Sequence, residues 1–324
     1  MNSSNIQEKY MKRCIDLARN ATGNTYPNPL VGAVIVHKGK IIGEGYHKQC
    51  GKSHAEANAI EAVKDESLLK DSTLYVNLEP CSHYGKTPPC SELIVKKGIP
   101  RVVIGTRDTS GKVSGKGIEI LKKGGCEVKE GLLEDECREV NKRFFTYHEK
   151  KRPYIILKWA QTMDGYIDKL RNPNDPIQPN WITNQISKKA VHKWRAEEEA
   201  ILVGSVTTLK DNPQLNVREW AGRNPLRLVI DKNFDINDSY KLINDQLKTI
   251  VFIDKGIKNT KFKNKKDQKT EIVPLDFSKE LIEQILDYLY QKEIASVFVE
   301  GGAYTIESFI SKGYWDEARI FVGN

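Results

Sequence analysis

Three candidate ligands and one carboxylate set the chemistry this sequence could perform. His54 stands two residues before Glu56, and Cys81, which follows Pro80, is separated from Cys90 by eight residues. One imidazole and two thiolates are the ligand types Zn²⁺ prefers, and three of them leave the fourth tetrahedral position open to water. A structural zinc normally takes four protein ligands, so a set of three argues for a catalytic site. Two thiolates cancel the charge of the ion and acidify water less than three histidines would, which makes a proton-accepting carboxylate useful. Glu56 is that candidate. At a two-residue offset on a helix its carboxylate would lie about 200° round the axis from His54, so a first-turn bend must aim it at the metal.

The pattern H-x-E followed by P-C is the signature of zinc-dependent base deaminases, in which hydroxide attacks the amidine carbon and the glutamate delivers a proton to departing ammonia. The general form has two residues between its cysteines. The longer insertion here, with His83, Lys86, Pro88 and Pro89, points to a subgroup.

The elements that must position these groups follow from hydrophobic spacing. Residues 6–21 carry apolar groups at helical intervals, and 31–36 and 40–46 read as a hairpin across Lys38-Gly39. Ser53 is a plausible N-cap for a helix running from His54 to about Lys64. Residues 73–78 form a β-branched strand that delivers Pro80-Cys81 to the sheet end. Helices at 91–97, 117–123 and 134–147 and strands at 101–105 and 126–129 complete an α/β/α layer. The charged stretch His148–Pro153 marks the boundary to a second α/β unit. Its strands are expected at 154–160, 200–203, 226–231, 249–253 and 296–300, and its helices at 185–198, 278–290 and 303–312. Alternating strands and helices imply a mostly parallel sheet. Gly301-Gly302, at a strand-to-helix junction, can bring backbone N–H groups to a phosphate.

At 324 residues the chain suits two domains, each with its own core. Composition is that of a globular protein, 39% hydrophobic and 29% charged, and no apolar run approaches the roughly 20 residues that cross a bilayer. With no signal peptide at the polar N-terminus, the expected location is cytoplasmic. Six scattered cysteines do not suggest a disulfide framework. The net charge of +8 could signal nucleic acid or an anionic small substrate, but the excess is partly local, in a lysine run between Lys255 and Lys269 that reads as a solvated hairpin or loop rather than a binding face.

Thr25-Tyr-Pro-Asn-Pro-Leu-Val-Gly32, His54-Ala-Glu56 and Pro80–Cys90 together resemble the bifunctional riboflavin biosynthesis deaminase/reductase, the RibD family. The second half resembles its reductase through Lys158–Gly165, Trp181-Ile-Thr183, Asp211-Asn-Pro213 and Glu300-Gly-Gly302. The resemblance implies an α/β protein with a cytidine-deaminase-like three-layer domain at 1–148 and a dihydrofolate-reductase-like domain at 153–324. It implies zinc at His54, Cys81 and Cys90, proton transfer by Glu56, and a first substrate pocket lined by Asn28, His47, His83 and Lys86. In the reductase it implies NADPH against Gln161, Trp181, Thr207, Asp211 and Gly302, and the phosphosugar against Arg195, Leu215, Arg218 and Glu300. The implied reactions are deamination of a ribosylaminopyrimidinone 5′-phosphate and then NADPH reduction of its ribose to ribityl, in a homo-oligomer without nucleic-acid or membrane partners.

Asp108-Thr-Ser-Gly111 departs from the family's usual Asp-Pro-Asn-Pro, and Tyr84 and Lys86 stand where His and Arg are frequent. The chain also stops at Asn324, on an expected strand, which suggests a reductase truncated at its C-terminus. Two alternatives remain open: a nucleic-acid base deaminase acting on tRNA, and a deaminase whose second domain only binds nucleotide or mediates assembly.

Overall fold

The computed structural model describes residues 3–84, 88–110, 114–172, 175–244, 247–257 and 269–323. The chain divides into two compact units, Met1–Lys150 and Lys151–Asn324.

The first unit runs α1 (Ser3–Arg19), β1 (Gly32–His37), β2 (Lys40–Tyr46), α2 (Ala55–Glu61), a 3₁₀ turn (Glu66–Asp71), β3 (Thr73–Leu78), α3 (Cys90–Lys96), β4 (Arg101–Thr106), α4 (Lys116–Lys123), β5 (Glu127–Glu130), α5 (Glu134–Val140) and α6 (Lys142–Lys150). Among the described residues its five strands are ordered β2-β1-β3-β4-β5. The β1 pairings with β2 and β3 are antiparallel, whereas β3, β4 and β5 run parallel. Strand residues alternate between two apolar layers. Ala33, Ile35, Leu74, Val76 and Ile104 face α2, α3 and α4, while Val34, Val36, Tyr75 and Val103 face α1 and α5. The two helical layers enclose the sheet as expected for α/β/α.

Two close approaches fix the helix that carries Glu56. A Cβ on Gly43 would lie 2.3 Å from Ala59 O, and one on Gly45 2.6 Å from Ala59 N. Only glycine lets α2 lie that near β2.

Two sequence expectations are corrected here. His54 is the N-cap of α2, in extended conformation, and the helix starts at Ala55 and ends at Glu61. With His54 off the helix, the 200° argument does not apply to the His54–Glu56 pair. The single helix expected over 134–147 is two, broken at Asn141, whose side chain is committed elsewhere: Oδ1 accepts from Leu30 N at 2.8 Å and Nδ2 donates to Leu30 O at 2.9 Å.

The second unit runs β6 (Tyr154–Thr162), α7 (Gln185–Glu197), β7 (Ala200–Gly204), α8 (Ser205–Asp211), β8 (Leu226–Ile230), α9 (Lys241–Asn244), β9 (Thr249–Asp254), β10 (Thr270–Leu275), α10 (Leu281–Gln291), β11 (Ser296–Val299), α11 (Ala303–Ser311) and β12 (Glu317–Gly323). Among the described residues its seven strands are all parallel, in the order β10-β9-β8-β7-β11-β6-β12. Both faces are apolar, as a buried parallel sheet requires. Leu157, Leu202, Phe252 and Val299 pack with α10 and α11, and Ile156, Val203, Val251 and Phe298 with α7. The strand order reverses around β11, and a crevice outside the carboxyl ends of strands at such a switch point is where open α/β sheets place ligands. Among the described residues no helix is long and apolar enough to cross a membrane.

Candidate active sites

In the first unit three predicted ligands converge. Strand β3 ends at Leu78 and hands Cys81 to the sheet edge, Pro89 caps α3 so that Cys90 opens it, and His54 precedes α2. His54 Nδ1 lies 3.5 Å from Cys81 Sγ and 3.4 Å from Cys90 Sγ. The three donor atoms all lie within 4.8 Å of one another, an arrangement that can hold a metal ion. Tetrahedral zinc with ordinary Zn–N and Zn–S bonds needs N···S separations of roughly 3.5 Å, so the residues fit the ion. Two further contacts fix the cysteines: Cys90 N donates to Cys81 Sγ at 3.3 Å, and Ser91 Oγ donates to Cys81 O at 2.9 Å. Hydrogen bonding from the Cys90 thiol holds Cys81 down at about 4, with His54 acting in the same direction, while Cys90 is correspondingly raised.

Glu56 is 3% exposed on the first turn of α2. Burial pushes its carboxyl up to about 7, the Cys81 thiolate adds to the effect, and a hydrogen bond with Cys90 opposes it. A carboxyl that titrates near neutrality beside a candidate metal site can both take and return a proton.

Of the expected pocket residues, Asn28 and His47 meet. His47 Nδ1 lies 3.1 Å from Ser53 O and so carries the ring proton, which leaves Nε2 to accept from Asn28 Nδ2 at 3.1 Å. His47 is buried, packs edge-on against the His54 ring at 5.2 Å, and burial lowers its pKa. Its polar atoms thus orient Asn28 and the Ser53-His54 turn. His83 is exposed. Lys86 lies outside the described residues.

Several positioning groups escaped the sequence reading. Asn77 is fully buried, accepts from Gly32 N at 2.8 Å and donates to Leu30 O at 3.0 Å, so Asn77 and Asn141 together clamp the segment that carries Asn28. Glu79 is 4% exposed and accepts backbone N–H bonds from Asp108, Gly115, Gly117 and Ile118 at 3.0–3.3 Å. It tethers the chain just before Cys81 to the start of α4, where a carboxylate is favoured by the helix dipole. In the loop that departs from the family pattern, Asp108 is buried and Oδ1 accepts from Ser110 N at 2.7 Å; Gly111 lies outside the described residues.

In the second unit a cavity of about 400 Å³ opens at the carboxyl ends of β6, β7 and β11. Its wall includes Trp181, Thr207, Asp211, Gly302, Arg195, Leu215, Arg218 and Glu300, eight of the nine residues expected there. Gln161 is the ninth and stands outside this lining, its Oε1 accepting from Trp159 Nε1 at 2.8 Å. Arg195 and Glu300 form a two-point ion pair, with Nε to Oε1 at 2.5 Å and Nη2 to Oε2 at 2.8 Å. Burial pushes the Glu300 carboxyl up, but Arg195 and then Lys158 outweigh it and hold the pKa below its ordinary value. Leu215 is buried at φ +49°, and Arg218 Nη1 donates to Asn216 Oδ1 at 2.9 Å.

Gly302 has φ +68°, and a Cβ there would meet Thr207 Oγ1 at 3.1 Å. The turn ahead of α11 is therefore a cradle that a side chain would fill, which suits a phosphate-bearing cofactor. Trp181 is 56% exposed with Lys188 Nζ 3.5 Å from its ring centroid, a flat platform and a cation within one wall. These residues fit a dinucleotide. Lys158, a cation within the apolar run Tyr154–Trp159, is a further polar group of this cavity whose mark in the sequence is a charge inside a buried strand. Its Nζ lies 4.0 Å from Glu300 Oε2, and burial lowers its pKa against the pull of Glu300.

Comparison with known proteins finds relatives for both units. Residues 4–106 match the family of the cytidine and deoxycytidylate deaminase zinc-binding region, and residues 153–323 match the RibD C-terminal domain. The riboflavin biosynthesis protein RibD of Aquifex aeolicus is 41% identical over 319 residues, which cover 98% of this chain and 86% of that protein. Its counterpart in Bacillus amyloliquefaciens is 39% identical, covering 98% and 84%. The crystal structure of a diaminohydroxyphosphoribosylaminopyrimidine deaminase/5-amino-6-(5-phosphoribosylamino)uracil reductase from Thermotoga maritima superposes with a TM-score of 0.84 at 39% identity, covering 99% of this chain and 87% of that one. The first unit thus has a cytidine-deaminase-like fold and the second the dihydrofolate-reductase-like fold of the family's reductase. Matched from end to end by such relatives, the chain belongs to the RibD family of riboflavin biosynthesis proteins.

Proposed function

We propose that the chain performs two consecutive steps of riboflavin biosynthesis. The first is hydrolytic deamination of 2,5-diamino-6-(5-phosphoribosylamino)pyrimidin-4(3H)-one to 5-amino-6-(5-phosphoribosylamino)uracil. The second is NADPH-dependent reduction of the ribosyl to the ribityl side chain. The observation that carries the first step is the convergence of His54, Cys81 and Cys90 within 4.8 Å beside a buried carboxyl raised to about 7.

His54, Cys81 and Cys90 would hold zinc, which when bound supplies a Lewis acid and an acidified water. Glu56 takes the proton of the attacking water on a carboxylate oxygen and gives it to the amino group as ammonia leaves. Asn28, oriented by His47, lines the pocket with His83, and the ammonium of Lys86, which lies outside the described residues, suits the substrate's phosphate as a point charge.

In the second unit Trp181, Thr207, Asp211 and the Gly302 turn would hold NADPH, with Gln161 at the end of β6, and NADPH supplies the hydride. Arg195, Leu215, Arg218 and Glu300 hold the phosphosugar. The protein's part is to bring the sugar's C1 against the cofactor and exclude water, a role carried by orientation. The domains of this reading are 1–148 and 153–324.

The test is to incubate the zinc-loaded chain with the diaminopyrimidinone ribosyl phosphate and follow ammonia release and NADPH oxidation in one sample. Ammonia followed by NADPH loss is expected. Ammonia without NADPH loss would reject the reductase, and neither signal would reject both.

A further inference from the structure

The reductase cavity has a wall with little core of its own. Among the described residues the stretch 163–184, between β6 and α7, contains no helix or strand. It nevertheless supplies Ile167, Asp168, Pro179, Asn180 and Trp181 to the cavity. Its large apolar side chains point largely to solvent: Met163 is 78% exposed, Tyr166 67% and Leu170 100%. Hydrophobic burial therefore cannot be what fixes most of this stretch.

One buried guanidinium ties parts of it to α8. The side chain of Arg171 is 8% exposed. Its Nε donates to Asp168 Oδ2 at 2.7 Å, Nη1 donates to Gln178 O at 3.1 Å and to Lys210 O at 3.3 Å, and Nη2 lies 2.9 Å from Asp211 Oδ1. These acceptors belong to both arms of the stretch and to the last turn of α8. Carbonyls at a helix C-terminus favour a cation, and here Asp211 adds a full negative charge. Burial pushes the Asp211 carboxyl up, and Arg171 opposes that shift.

We propose that Arg171 is a positioning residue of the reductase: it fastens the stretch 163–184 to α8 and thereby sets the distance between Trp181 and Thr207 across the cofactor side of the cavity. The proposal rests on the reading of this cavity as the NADPH site. Asp211 takes on a second role within it, as the anchor that receives Arg171. Charge and geometry both select arginine. Three hydrogen-bond acceptors and the Asp211 carboxylate need a planar fork of donors, whereas a lysine ammonium is a point charge that cannot reach all of them at once. Arg171 also lines the cavity, but its donors are directed at Asp168, Gln178, Lys210 and Asp211, so its effect on the reaction is through the wall it holds.

The experiment compares Arg171→Ala, Arg171→Lys and Asp168→Asn with the full-length parent by steady-state kinetics and by amide hydrogen exchange. Arg171→Ala should raise KM for NADPH about tenfold while kcat changes less than about threefold, since a displaced wall weakens binding before it alters chemistry. Exchange should quicken in 163–184 and in the last turn of α8, and nowhere else in the second unit. Arg171→Lys should recover part of both effects, and Asp168→Asn should give a smaller shift of the same kind. If Arg171→Ala fails to fold, the other two variants decide the matter by the same pair of readouts. An unchanged KM overturns the proposal, as does a raised KM without faster exchange, or a fall in kcat with KM unaltered. Should the parent neither bind nor oxidise NADPH, the cofactor reading fails; the exchange result still decides whether Arg171 holds the stretch.

Discussion

Arg195 and Glu300 stand 105 positions apart in the chain, yet they meet through two parallel hydrogen bonds in the reductase cavity. The pair joins α7 to the end of β11, and Lys158 approaches the same carboxylate from β6. Removing one member strands a buried charge. Arg195→Leu should therefore lower the stability of the second unit by about 3 kcal/mol and abolish NADPH oxidation. Chemical denaturation and an NADPH assay check both. Wild-type stability in the variant would mean that the pair is compensated by water.

Glu56→Gln keeps the shape of the side chain but removes the titrating oxygen. Ammonia release should fall by a factor on the order of 10²–10⁴ with zinc content unchanged, as read by metal analysis of the same preparation. Retained turnover would take Glu56 out of the proton path.

Cys81→Ser should lose the metal. Serine keeps a polar atom at the position but not a thiolate, and a site of three protein ligands has none to spare. The variant should leave the purification with little zinc while its NADPH oxidation on the deaminated intermediate persists. Full metal occupancy would remove Cys81 from the ligand set.

Gly302→Ala should weaken NADPH binding. The backbone at φ +68° strains any side chain, and the added methyl would press on Thr207. A rise in the dissociation constant of roughly tenfold, corresponding to about 1.4 kcal/mol, is expected by titration. Unaltered affinity would place the cofactor's phosphate elsewhere.

Glu199 provides a pH prediction independent of either site. Burial pushes its carboxyl up to about 7, while the backbone N–H of Ala295 donates to it. Because the folded pKa lies above the unfolded one, the folded state holds the extra proton between roughly pH 4.3 and 7. Stability should fall as pH rises through that window. Glu199→Gln should flatten this slope, by on the order of 1–2 kcal/mol between pH 5 and 8, in urea unfolding of variant against parent. Parallel curves for the two proteins would show that Glu199 does not titrate there.

Much of the fold was legible because local pattern and tertiary role agree. The β-branched run at β3 is buried on both faces, and the Lys38-Gly39 turn, at φ 45° and 77°, makes the hairpin that the spacing suggested. What escaped had long-range causes. Helix α8 reads Ser-Val-Thr-Thr-Leu-Lys-Asp, a poor helix former, and is held partly by Thr208 Oγ1 donating to Gly204 O at 3.2 Å. Strand β10 contains Pro274, which argues against a central strand but is tolerated at the sheet edge where β10 lies. Within the sites, ligand types and spacing exposed His54, Glu56, Cys81 and Cys90. Asn77, Glu79 and Arg171 carry no such mark, because their partners are backbone groups or residues brought near only by folding.

The insertion of β11 between β6 and β7 has a consequence for how the second unit is made. Residues 296–299 pair on one side with β6 and on the other with β7. A nascent chain that has emerged only through β10 has both neighbours but not the strand that joins them. The pocket between them consequently closes late, after a long loop closure. Until then β6 and β7 present unpaired edges, so a chain stalled short of Ser296 should depend on chaperones to stay unaggregated.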